Sequence, residues 1–135
     1  MSKILGIFTT LFLLATLTAC SGSSPEDVAT KFLNAAYKGD ADTVLELIHI
    51  PEHSKQNANV KELVSGKVKA GVAKSQAKAE QNGGVKNITV KETQMDEANN
   101  RGVIILNVEF KKEDSRQTTE RIRLIKSDDK WKVSI

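Results

Sequence analysis

Arg101-Gly102-Val103-Ile104-Ile105-Leu106-Asn107-Val108-Glu109-Phe110 carries its apolar residues with a period of two. Ile104, Leu106, Val108 and Phe110 share one face, so the segment reads as a β-strand with that face toward a core. The same period begins just after Gly84, where Ile88 and Val90 start a preceding strand, and Asp96 to Gly102, rich in Asn and Asp, reads as the turn between the two. Downstream, Lys112 to Arg116 forms a charged turn. Ile122 and Leu124 mark a third strand, Ser127-Asp128-Asp129 a tight hairpin, and Trp131, Val133 and Ile135 a fourth strand.

Before Gly84 the period is helical. Ser24 can cap a helix in which Pro25 suits the first position and Glu26-Asp27 favour the positive end of the dipole. Val28, Phe32, Leu33, Ala35 and Ala36 recur at helical spacing, and Lys38-Gly39 closes the helix with a left-handed cap. Asp40 can cap a second helix carrying Val44, Leu45, Leu47 and Ile48, stopped by Pro51. Residues 52–59 read as a polar loop. A longer helix follows from about Val60 to Gln81, weakened by Gly66 and Gly71 and crowded with Lys61, Lys67, Lys69, Lys74 and Lys78. Helices first and a meander of strands last predict an α+β domain over residues 25–135, its N-terminal helices packed on one face of a four-stranded antiparallel sheet.

The 135 residues suit one domain. Apolar residues make up 39% and charged residues 27%, an ordinary globular mixture rather than a disordered one. One cysteine excludes an internal disulfide framework and a multi-cysteine zinc site. That cysteine ends an unusual start: Lys3 supplies a positive charge, and an apolar run from Ile4 to Ala15 is too short for a bilayer-spanning helix, which needs about 20 residues. The run fits the central region of a secretory signal. It leads into Leu17-Thr18-Ala19-Cys20, which resembles the lipobox of bacterial lipoproteins. The resemblance implies a signal over residues 1–19, cleavage between Ala19 and Cys20, acylation of the Cys20 sulfur, and residues 20–24 as a lipidated cysteine and short tether. Ser21 stands where Asp would resemble an inner-membrane retention signal. The expected location is therefore the cell envelope, on the periplasmic side of the outer membrane.

Pro25-Glu26-Asp27-Val28-Ala29, Phe32-Leu33, Ala35, Lys38-Gly39-Asp40, Ala41, Val44 and the terminal Asp129, Trp131-Lys132-Val133 carry a second likeness. In these residues the chain resembles the nuclear-transport-factor-2-like superfamily, and within it small bacterial lipoproteins of uncharacterised function. The resemblance implies a strongly curved sheet wrapped around helices, a cone whose mouth can hold a ligand. Such a fold serves enzymes and non-catalytic modules alike, so function has to be argued from the site.

Catalytic signatures are missing from the sequence: it has no phosphate loop, dinucleotide fingerprint, nucleophile elbow or repeat. His49 and His53 flank Pro51, but a zinc site needs three or four ligands, and solvated loop-edge imidazoles explain them better. No metal and no cofactor are expected. The superfamily's catalytic cones hold a carboxylate, sometimes with His or Tyr, which makes Tyr37, His49 and Glu120 the candidate pocket residues; Asp40 is better read as a helix cap. Past the signal the aromatic residues are Phe32, Tyr37, Phe110 and Trp131, all needed by the core, which leaves room for a shallow cleft at most. Lys91, Lys111, Arg121, Arg123, Lys130 and Lys132 fall on the outward register with Glu109, Glu113 and Asp114 interleaved, the pattern of a solvated face. Stacking aromatics do not accompany this charge, so nucleic acid is not an expected partner. The expectation is a non-enzymatic binding or interaction module held to membrane lipid through acylated Cys20, taking an envelope protein or a small ligand. An isomerase or hydratase with its acid/base group in the cone is the alternative, and a structural accessory lipoprotein a further one.

Overall fold

A computed structural model describes residues 23–135; the signal, Ala19 and Cys20 lie outside the described residues. Helix α1 (Pro25–Lys38) begins where Ser24 Oγ accepts the Asp27 N–H at 3.1 Å. It ends at Gly39, whose φ of 81° is the left-handed region that glycine enters without a Cβ penalty. Asp40 then caps α2 (Ala41–Leu47), accepting from the Thr43 amide and hydroxyl at 3.1 and 2.6 Å. These donors hold the Asp40 carboxyl below its ordinary range, the hydroxyl contributing most.

Residues 52–59 are not a loop. Glu52–Lys55 forms a single helical turn, α3, because the Pro51 carbonyl accepts the Ser54 and Lys55 amides. Asn57 then caps α4 (Ala58–Gln81), its side chain taking the Asn59 and Val60 amides, so this helix starts two residues before Val60. A polar run concealed a cap. Of the 24 residues of α4 only Val68, Val72 and Ala79 are buried, so it rests on the domain by one thin stripe.

The sheet is a four-stranded antiparallel meander in the order β1 (Val85–Asp96), β2 (Arg101–Phe110), β3 (Thr118–Ser127), β4 (Lys130–Val133). The turn between β1 and β2 is shorter than expected, a single 3-10 turn at Glu97–Asn99, with Asp96 and Gly102 already paired in the ladder. Asp128 and Asp129 in the β3–β4 hairpin both take positive φ, 51° and 60°, as a two-residue turn matched to strand twist demands. The helix-facing side of β2 is the centre of the core. Ile104, Leu106 and Val108 are fully buried, and Phe110 nearly so, each contributing about 1.5–3 kcal/mol of apolar burial. Leu33, Tyr37, Val44, Val68 and Val72 cover them from the helix side. No helix among the described residues is long and apolar enough to cross a membrane.

Strand β4 is only four residues long and pairs with Leu124 to Ser127; among the described residues no strand pairs with the first half of β3 on that side. Ile135 does not belong to β4. It lies just past the strand and is 75% exposed, at the margin of a cleft beside Ile122. Trp131 is half-buried at the core's margin, its ring under the Lys126 ammonium.

Candidate functional site

An apolar cleft of about 300 Å³ opens between the second half of α1, the middle of α4 and the helix-facing side of β3, with Ile135 at its margin. Phe32, Leu33, Ala36, Val44, Ile48 and Ile122 form its walls. Gly71 contributes space, since nothing lies within 4 Å of where its Cβ would be. Gly39, held at a left-handed φ between α1 and α2, faces the end of the Gln76 side chain of α4.

Glu120 is out of keeping with its register. Even-numbered positions of β3 point into the core, as Ile122 and Leu124 do, and Glu120 lies opposite the fully buried Leu106. The carboxylate survives there by three means. Its side chain keeps 32% of its surface exposed at the cleft, Tyr37 donates its hydroxyl to Oε1 at 3.0 Å, and the Lys78 ammonium stands 4.0 Å away. Tyr37 is itself held from behind, its ring edge-on to Phe110 at 5.7 Å and 85°. Burial, and then the charge and hydrogen bond of Glu120, push the Tyr37 phenol far above its ordinary value. The phenol therefore stays protonated and acts as a fixed donor.

Of the three candidate pocket residues, the fold brings Tyr37 and Glu120 together and leaves His49 apart. His49 lines a separate depression with Lys55, Lys130 and Lys132, tied in by its backbone amide to the Val133 carbonyl at 2.8 Å. His53 does not line the cleft either. No cluster of three His, Cys, Asp or Glu suited to a metal is found among the described residues. Sequence reasoning missed Lys67, Gly71, Ser75 and Lys78, which reach the site from α4. The signal was there in part, because Gly71 and Ser75 flank the Val68–Val72 stripe, but nothing in the helical period says what the stripe packs against. Of the expected outward basic residues, Lys132 is only half-exposed and its ammonium donates to the Glu46 carbonyl, while the rest are in solvent.

A family model described as a domain of unknown function, DUF4878, matches residues 18–134. The chain belongs to the DUF4878 family. Among solved structures, the DUF4878 chain is similar to a Campylobacter jejuni protein provisionally described as an NTF2-like transpeptidase: 32% identity over 84% of this chain and 99% of that one, with a TM-score of 0.76. A SEC-C motif containing protein from Rhodopseudomonas palustris is similar in fold alone, at 16% identity and a TM-score of 0.50 over 83% of this chain and 76% of that one. No curated protein matches the DUF4878 chain. The nuclear-transport-factor-2-like architecture expected from the sequence is thus the observed one: helices laid on an open, four-stranded antiparallel sheet.

Proposed function

We propose that the DUF4878 chain is a lipid-anchored, non-enzymatic binding module of the cell envelope whose cleft receives an apolar group. The observation that carries the binding role is the cleft itself, a concave, mostly apolar site of about 300 Å³ with a few convergent polar groups, the usual make-up of a ligand site. The non-enzymatic role rests on how those polar groups are engaged. Tyr37 is held protonated with its hydroxyl committed to Glu120, which Lys78 also faces, so the phenol does not serve as a base near neutral pH. Acyl transfer of the kind named for the Campylobacter relative needs a nucleophile with an adjacent base. Ser75 lines the cleft, but neither histidine does.

The anchor is read from Leu17-Thr18-Ala19-Cys20. Several acyl chains on and beside Cys20 hold a protein to a bilayer durably, since each buried methylene adds about 0.8 kcal/mol. Ser21 favours the outer membrane, periplasmic side. Two measurements test the proposal. Cys20→Ser is expected to move the protein from the membrane fraction to the soluble one, and equal retention removes the anchor. Anilinonaphthalene sulfonate is expected to bind wild type at neutral pH and to bind Gly71→Leu, whose side chain fills the cleft, at least tenfold more weakly. Equal binding removes the cleft. One observation favours the isomerase or hydratase reading, a carboxylate on an otherwise apolar wall. Under that reading Glu120→Gln abolishes turnover while leaving dye binding intact.

A further inference from the structure

The uncovered half of β3 differs from the sheet's other free edge. Along β1 two irregularities, between Val85 and Asn87 and between Val90 and Glu92, break the ladder. Lys86 and Lys91 are exposed there, and Thr93 is tied to Glu26 of α1 by a 3.1 Å hydrogen bond. Bulges, lysines and a covering element are the usual means of blunting an edge. The pairing of β3 with β2 is regular throughout, and Thr118-Thr119-Glu120-Arg121-Ile122 contains no proline.

The direction of its backbone groups follows from two hydrogen bonds. Lys126 N–H donates toward β2, to the Asn100 carbonyl at 2.8 Å, whereas the Arg123 carbonyl accepts the Ser134 amide on the β4 side at 2.9 Å. Amide and carbonyl of one residue point the same way across a strand, and neighbours alternate. Thr119 and Arg121 therefore turn their amides and carbonyls to the open side, and both residues are exposed. Among the described residues no backbone partner meets them. Ile135, next in register opposite Ile122, is largely exposed and lines the margin of the cleft.

We infer that this edge receives an extended peptide strand from a partner, laid antiparallel to β3 in line with β4. Only a second backbone supplies donors and acceptors at the spacing that Thr119 and Arg121 present. The inference rests on the cleft being a binding site, because side chains of the added strand alternate. One set enters the apolar cleft beside Ile122, and the other stands on the opposite, solvent-facing side beside Arg121 and Arg123. The partner segment is thus one that alternates apolar with acidic residues, opposite charges across strands being favourable and like charges not.

The test uses the full chain in phosphatidylcholine vesicles and three end-capped hexapeptides alternating valine with glutamate, serine or lysine. Hydrogen exchange resolved to single amides is expected to slow at least tenfold at Thr119 and Arg121 with the glutamate peptide, less with serine and least with lysine. Arg121→Glu should reverse that order. Thr119→Pro, which deletes one outward amide, should abolish protection at Arg121 while circular dichroism stays unchanged. Protection by none of the peptides, or protection confined to β1, overturns the inference. So does slow exchange at both amides without peptide that grows with protein concentration, the mark of two copies pairing edge to edge. Persistent binding of anilinonaphthalene sulfonate alongside a failed peptide refutes the strand and leaves the cleft standing.

Discussion

Replacing Tyr37 by Phe and Glu120 by Leu, singly and together, asks whether the two side chains form one coupled unit. Tyr37→Phe keeps the ring in its edge-on contact with Phe110 and deletes only the hydroxyl. A hydrogen bond to a charged acceptor contributes about 1.5–3 kcal/mol. Glu120 is a third exposed and water can replace the lost donor, so the expected cost is about 1 kcal/mol. Glu120→Leu leaves the phenol, 6% exposed, without its acceptor, a penalty of about 1–3 kcal/mol. Leucine beside Leu106 and Ile122 recovers part of that through apolar burial, so the net loss is about 1 kcal/mol. In the double variant no polar group is orphaned and the leucine still packs. Its stability should lie close to wild type, an interaction energy of about 1–2 kcal/mol. Urea unfolding followed by the fluorescence of Trp131, the one tryptophan of the chain, measures all four proteins. Additivity of the two single losses to within about 0.5 kcal/mol would refute the coupling. Burial of Tyr37, and after it the charge and hydrogen bond of Glu120, sets an alkaline limb. Because the folded state raises the Tyr37 phenol above its ordinary 10.0, its contribution is complete below that pH and is lost as pH rises beyond it. Wild type should lose stability above about pH 10 in excess of any loss in Tyr37→Phe; parallel profiles count against a buried, protonated phenol at Tyr37.

Gly66→Ala should stabilise by about 1 kcal/mol, because α4 is helical there and nothing lies within 4 Å of the new methyl; an unchanged urea midpoint contradicts this. Gly39→Ala should cost about 1 kcal/mol, because its left-handed φ opposes a Cβ while the Gln76 side chain can swing aside, and a neutral result in the same assay would contradict a left-handed α1 cap. Trp131→Ala should cost less than the 3–5 kcal/mol of a buried aromatic, about 2 kcal/mol, since the ring is only half-buried; a loss above 4 kcal/mol in thermal or urea unfolding would place it in the core after all.

Local sequence determined the elements because their signals are local. Ser24-Pro25-Glu26-Asp27 starts a helix through groups one turn apart, Gly39 and Asp40 end one helix and cap the next, and the period-two run to Phe110 sets which face of β2 is buried. Glu120 and Tyr37 were legible as candidates for the same reason, since register alone turns Glu120 inward. Where sequence reading failed, short polar residues concealed structure: Asn57 acts as a cap and Asp96 and Gly102 as ladder residues, because turn-forming side chains serve caps, turns and strand ends alike.

The cleft was decided by tertiary structure. Its walls come from segments over eighty residues apart, and no periodicity within one segment says which of the others it will face. The same holds for the separation of His49 from Glu120, and for the arrival of Lys78 at the carboxylate, since distance between elements is set by how helices cross a twisted sheet and leaves no mark in the spacing of residues along either one.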